Sequence, residues 1–211
     1  MERIISLVIG YAFGLIQTSY IIGRIKGIDI RTKGSGNAGT TNTLRVLGLK
    51  AGIITLAVDI LKCIAAAVVV RAIYRSTGLA VLYGVYACAG TVLGHDFPFY
   101  LGFKGGKGVA ASAGMILAFG DWILVPIAAA CFFIPAIATR FVSLGSLCLE
   151  SGFFVSVLVS CLLGRYPLPT GACVEMCVIF GLLTLLNFVQ HRANIRRLAT
   201  GTENKFSIHR S

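Results

Sequence analysis

Three polar segments interrupt an otherwise apolar chain, and each carries residue types suited to an anion. The first, residues 33–48, reads KGSGNAGTTNTLRVLG. Its clustered Gly, Asn, Ser and Thr offer backbone N–H groups and neutral donors, and Arg45 adds a fixed positive charge. Glycine lets successive N–H groups converge on phosphate oxygens. Ser35, Asn37, Thr41 and Arg45 are the candidate ligands in this segment, and a flexible polar linker is the bland alternative. The second, residues 94–110, reads GHDFPFYLGFKGGKGVA. Lys104, Gly105, Gly106, Lys107 and Gly108 run directly into an apolar stretch, so the free N–H groups and positive end of the helix that follows should face a ligand beside the two lysines. The alternative is a glycine turn with two lysines whose stems lie along lipid.

The third segment, residues 190–206, reads QHRANIRRLATGTENKF. Continued as a helix, it puts His191, Asn194 and Arg197 or Leu198 on one face. A basic juxtamembrane helix resting on anionic lipid is the competing account, preferred for Arg192, Arg196 and Arg210. A shorter polar stretch, TRFVSLGSL, holds Arg140 and Ser143 and says little by itself.

The elements that must position these residues follow from composition. Of 211 residues, 56% are hydrophobic and only 13% charged, against roughly 25% charged in a soluble domain. Apolar stretches fall at about 4–22, 51–70, 78–94, 108–120, 122–138, 146–163 and 168–189. A crossing helix needs about 20 residues, so the expectation is an all-α integral membrane protein with seven transmembrane helices and one domain over 1–211. The fourth stretch is the shortest, and Gly120-Asp121 reads as a tight turn between the fourth and fifth. The first stretch follows Met1-Glu2-Arg3 without an A-x-A pattern, and reads as a retained helix rather than a signal peptide.

The net charge of +11 suits either nucleic acid or the positive-inside rule. Fourteen of the nineteen Lys and Arg fall in segments 23–50, 95–107, 139–145 and the tail from 190, and only four in the alternate set. That asymmetry sets the N-terminus outside and the C-terminus in the cytoplasm, with all three polar segments on the cytoplasmic face. No nucleic-acid partner is expected. Lys62 completes the nineteen inside the second stretch, one helical turn from Asp59, and the two should neutralise one another.

Several chemistries are argued against by what is missing. The second segment fails the Walker A pattern at Leu101 and Gly108, which argues against nucleotide hydrolysis. There is no GxSxG, no HExxH and no H-x4-D. The seven cysteines lie in apolar stretches without a CxxC pair or a neighbouring His cluster, so neither a metal nor another cofactor is expected.

Taken together, GSGNAGTTN at 34–42, GHDFP with FKGGKGVA at 94–110, and HRANIRRLATGTENKF at 191–206 resemble the three signatures of the bacterial acyl-phosphate:glycerol-3-phosphate acyltransferase family, often called PlsY. The resemblance extends over the whole chain. It implies transfer of a fatty acyl group from acyl phosphate to the 1-hydroxyl of sn-glycerol 3-phosphate, giving lysophosphatidic acid and inorganic phosphate, the first step of phospholipid synthesis in the cell membrane. It also implies that Ser35, Arg45, His191 and Asn194 support activity, that 104–108 binds glycerol 3-phosphate, and that Glu203 is structural. The VSL segment matches as well, which raises Ser143. Departures are small: Asp96 after His95, Ala193 in the third signature, and Cys63 after Lys62 where glycine is usual.

The physical reading agrees with that chemistry. Both substrates carry phosphate, so a cationic, glycine-lined site lowers their repulsion. Acyl phosphate is already activated, and no nucleophilic residue is obligatory. The partners expected are the two substrates and membrane lipid, with no obligatory protein. The alternative function is a membrane transporter or channel for a phosphorylated or other anionic solute, which should show polar residues along the spans and on both faces.

Overall fold

The computed structural model describes residues 1–206; Arg210, assigned above to a lipid-bound basic tail, lies outside them. Regular structure among the described residues is helical throughout, without a strand. The chain forms two compact units, Met1–Gly120 and Asp121–Ser211.

The first unit contains α1 (Glu2–Gly14), α2 (Thr18–Ile25), α3 (Thr40–Leu47), α4 (Leu49–Ile73), α5 (Ala80–Asp96) and α6 (Val109–Phe119). In α4 the usual burial pattern is inverted. Small and polar residues such as Ala51, Gly52, Thr55, Asp59, Lys62 and Ala66 face inward, while Ile53, Ile54, Leu61 and Val68 are exposed. Lipid is as apolar as leucine, so large apolar side chains gain little by turning inward and small ones let helices approach closely. α1 meets α5 in that way: a Cβ on Gly10 would overlap the carbonyl of Ala87, and Thr91 donates to the carbonyl of Gly10 at 3.1 Å.

The first apolar stretch is not one helix. α1 stops at Gly14 and α2 starts at Thr18, and the carbonyls freed between them find donors. The Tyr100 hydroxyl donates to Leu15 at 2.6 Å, Lys62 Nζ to Ile16 at 2.8 Å, and Gln17 Nε2 to Gly14 at 3.2 Å. A break inside an apolar segment persists only when its backbone groups are paired in this manner.

The second unit contains α7 (Leu124–Thr139), α8 (Val142–Leu162), α9 (Thr170–Gln190) and α10 (Arg192–Ala199). α8 packs on α9 through Phe153 and Phe180, edge to face at 5.2 Å, and on α7 where Gly145 meets the carbonyl of Phe132. Asp121, Arg165 and Tyr166 join the start of α7 to the α8–α9 connection, with Tyr166 donating to Asp121 at 2.9 Å and Arg165 at 3.2 Å.

Helix occupies most of each of the seven apolar stretches, but among the described residues four runs are long and apolar enough to cross a membrane by length and composition: Glu2–Ile25, Leu49–Ile73, Val142–Leu162 and Thr170–Gln190. α6 has 11 residues, only about 16 Å at 1.5 Å per residue. It is closed by Gly108 and Gly120, both at positive φ. Residues 40–47, within the first polar segment, form α3. The first polar segment is therefore a glycine loop followed by a short helix, with Arg45 on the helix.

Candidate active site

In the first unit, a neutral amide shapes the loop that carries Ser35. Asn42, in the first turn of α3, accepts the Ser35 N–H on Oδ1 at 2.8 Å and donates from Nδ2 to the carbonyls of Ile30 and Lys33 at 3.1 and 3.0 Å. Gly34 must lack a Cβ because one would overlap Asn42 Oδ1, and its φ of +59° favours glycine independently. Ser35 is exposed, Asn37 and Thr41 are half-buried, and Arg45 is exposed on α3.

Arg31 ties this loop to the second segment. Its Nε and Nη2 grip both carboxylate oxygens of Asp29 at 3.0 and 2.8 Å, and Nη1 donates to the carbonyl of Leu101 at 3.2 Å. The guanidinium also lies over the Tyr20 ring, 5.1 Å from its centre. The side-chain hydrogen bond from Arg31 holds the Asp29 carboxyl down at about 2, so it stays ionised, and Asp29 in turn raises the Arg31 pKa. Between the two segments lies an open cleft of roughly 300 Å³, lined by Asp29, Arg31, Thr32, Gly36, Lys104 and Gly105. Lys104 shares this lining with Gly36 of the first loop. Ser35 adjoins Gly36 without lining the cleft, and neither Thr41 nor Arg45 lines it.

The glycine-rich loop departs from the simple picture of a nest of free N–H groups. Gly105 donates to the carbonyl of Asp96 and Gly106 to that of His95, each at 3.0 Å. These two N–H groups are therefore spent on the end of α5 and are not open to a phosphate. The glycines are needed for close approach: a Cβ on Gly105 would overlap the His95 carbonyl, and one on Gly106 the His95 ring at Nε2. Gly108, at φ +70°, turns the chain into α6, where a Cβ would meet Asp96 Oδ1 at 3.1 Å, while Lys104 lines the cleft.

The second unit assembles the tail around a carboxylate. Glu203 Oε1 accepts from Ser143 Oγ at 3.0 Å and from Asn194 Nδ2 at 2.7 Å, while Oε2 accepts from Arg197 Nε at 2.7 Å. Burial by itself raises the Glu203 pKa, but the three donors outweigh it and leave the carboxyl below its ordinary value. The helix of α9 does not run on through the tail. It ends at Gln190, His191 caps both α9 and α10, and the expected continuous face is broken there. Asn194 and Arg197 nonetheless converge, because both reach Glu203. His191 is buried, and its Nδ1 lies 2.9 Å from the carbonyl of Asn187. A carbonyl only accepts, so Nδ1 carries the proton, and in the neutral ring Nε2 is the basic nitrogen.

Residues 4–201 match the family described as glycerol-3-phosphate acyltransferase. The chain belongs to that family. A relative in Shouchella clausii (strain KSM-K16), named glycerol-3-phosphate acyltransferase, is 41% identical over 97% of this chain and 96% of its own. Two solved structures of PlsY, an integral membrane glycerol 3-phosphate acyltransferase, resemble the fold. Its glycerol 3-phosphate form is 30% identical at a TM-score of 0.84, covering 98% of this chain and 96% of that one. Its lysophosphatidic acid form is 29% identical at 0.81, covering 99% and 97%. With its apolar helices, the chain is a multi-pass integral membrane protein like them. Asn42, Arg31, Asp29 and His95 were not singled out by sequence reasoning. Asn42 has one usable signal, an amide in the first helical turn after a glycine loop; Arg31 looked like one cation among many.

Proposed function

We propose that this chain transfers a fatty acyl group from acyl phosphate to the 1-hydroxyl of sn-glycerol 3-phosphate, releasing lysophosphatidic acid and inorganic phosphate. The observation that carries this reading is membership of the family over residues 4–201; the PlsY structures bearing the acceptor substrate and the lipid product support it. The acyl-phosphate donor is what the three signatures imply. The chain acts as a single acyltransferase domain in the cell (plasma or inner) membrane, with seven crossings, the N-terminus outside and the polar segments at the cytoplasmic surface. Short α6 and α7 serve as two of the crossings, and the fourteen-to-four division of Lys and Arg supports the orientation.

In the reaction the acceptor's 1-oxygen attacks the acyl carbonyl carbon, the carbon–oxygen bond to phosphate breaks, and the departing phosphate takes that electron pair. Lys104 and Arg45 neutralise phosphate charge. Thr41, Lys107, Gly108 and Ser143 contribute to substrate binding, with Gly105 and Gly106 shaping the loop. Ser35 and Asn37 orient a substrate or stabilise the tetrahedral oxyanion. The hydroxyl proton goes to His191 Nε2 or to the acceptor's own phosphate, Asn194 supports activity, and Glu203 holds the tail together.

A transfer assay on detergent-purified protein, with palmitoyl phosphate and glycerol 3-phosphate, tests this by following phosphate and lysophosphatidic acid together. Equal amounts of both are expected, falling at least a hundredfold in folded Arg45→Ala or Ser35→Ala protein. Phosphate alone means a hydrolase, and neither product from folded protein returns the transporter reading.

A further inference from the structure

One buried polar cluster takes no part in the scheme above. Asp59 and Lys62 on α4 and His95 on α5 are all less than 5% exposed. Lys62 Nζ lies 2.7 Å from Asp59 Oδ1, 2.9 Å from His95 Nδ1 and 2.8 Å from the carbonyl of Ile16. The Asp59–Lys62 pair is thus real, but it has a third member. An ammonium group has no lone pair to offer, so His95 Nδ1 must accept and the ring proton must sit on Nε2. Gln17 Nε2 fixes the same residue from its main chain, donating to the His95 carbonyl at 2.9 Å. Ring, tautomer and carbonyl are therefore all held.

What rests on that held residue is the glycine loop. The Gly106 N–H donates to the His95 carbonyl at 3.0 Å, and the face where Gly106 would carry a Cβ is occupied by His95 Nε2. A buried ion pair is a poor source of stability, since desolvation offsets most of the attraction. A role in fixing geometry gives this one a purpose. We propose that Asp59, Lys62 and His95 are positioning residues: Lys62 locks the His95 ring, and the ring and its carbonyl set the height and path of 105–106 so that Lys104 and the start of α6 meet the phosphate of glycerol 3-phosphate. This rests on the reading that residues 104–108 receive that substrate.

The test uses full-length protein in detergent and four variants: His95→Ala, His95→Asn, Gly106→Ala and the double variant His95→Asn/Gly106→Ala. His95→Asn keeps an acceptor for Lys62, and so keeps the buried charge partnered even where the alanine variant fails to fold. The expected result is a KM for glycerol 3-phosphate at least tenfold higher in His95→Asn and in Gly106→Ala, with kcat within threefold and KM for palmitoyl phosphate unchanged. The double variant should be no worse than His95→Asn alone, because the methyl group then has no ring to strike. An unchanged KM in His95→Asn, a kcat loss at constant KM, or effects that multiply in the double variant would each overturn the proposal. Amide hydrogen exchange in the 101–108 peptide is independent of activity. It should rise at least tenfold in His95→Asn while the interior of α4 is unchanged; wild-type exchange in that variant also sinks the proposal. If wild-type protein transfers no acyl group, the functional reading fails, and the exchange arm still decides whether His95 holds the loop.

Discussion

In the loop around Ser35 the hub is a neutral amide, Asn42, bonded to three main-chain groups; in the tail it is a carboxylate, Glu203, bonded to three side chains. The first hub fixes backbone and leaves Ser35 and Arg45 exposed. The second fixes Ser143, Asn194 and Arg197 themselves, with Glu203 only 5% exposed. An amide can donate and accept at once, which suits a loop whose orphan groups include both carbonyls and an N–H. A carboxylate only accepts, which suits a place where three donors converge. The contrast also predicts how each region fails: loss of the amide should loosen a loop locally, whereas loss of the carboxylate should strand several donors together.

The largest effect is therefore expected at Glu203. Charge-assisted hydrogen bonds contribute roughly 1.5–3 kcal/mol each, but they are not additive and Arg197 is partly exposed. Glu203→Ala should cost about 2–4 kcal/mol on that scale and most of the activity, as read by thermal unfolding in detergent and the transfer assay. Glu203→Gln, which keeps an acceptor, should recover part of both. Recovery of neither would mean that charge, not hydrogen bonding, is what the tail requires.

Asn42→Ala comes next. It leaves the Ser35 N–H and the carbonyls of Ile30 and Lys33 without their partner, costing about 1–3 kcal/mol, confined to the loop. Activity should fall at least tenfold while the thermal midpoint moves little. Asn42→Asp, which keeps the acceptor and loses the donors, should fall between. A global loss of stability in Asn42→Ala would erase the distinction between the two hubs.

Arg31→Lys should be milder. The forked grip on Asp29 and the bond to Leu101 need a guanidinium, which an ammonium group does not reproduce. Because the pair is partly exposed, the stability cost should stay under about 1 kcal/mol, with KM for glycerol 3-phosphate rising severalfold. An unchanged KM would remove Arg31 from the substrate cleft.

The smallest effect is the response to acid. Asp29 and Glu203 both have folded pKa values below their ordinary ones. A depressed carboxyl adds stability that is fully present above its unfolded pKa, about 4, and lost as pH falls through the folded value. Neither region should weaken between pH 7 and 5. The tail should loosen first as pH drops below the ordinary carboxylate range, and Asp29 should persist toward pH 2. Exchange or proteolysis of each region against pH reads the order, and loosening of the Asp29 loop first would contradict it.

Composition pointed to a lipid-embedded chain, because 13% charged residues do not cover a soluble core of this size, and the length of the apolar stretches pointed to helices. The clustered glycines, asparagines and lysines marked the segments that carry chemistry, and Asp59–Lys62 was legible because i, i+3 on a helix is a local relation. The relations that sequence spacing did not reveal are the long-range ones. Asn42 reaches back to Ile30, Arg31 crosses to Leu101, Lys62 meets His95 on another helix, and Glu203 gathers Ser143 from far earlier in the chain. The N–H groups of Gly105 and Gly106 looked available because a glycine run is permissive; the carbonyls that claim them, Asp96 and His95, lie earlier in the chain on the end of α5. Local periodicity is written along the chain, but which donor finds which acceptor across helices depends on how closely the backbones pack, and only the tertiary structure decides that.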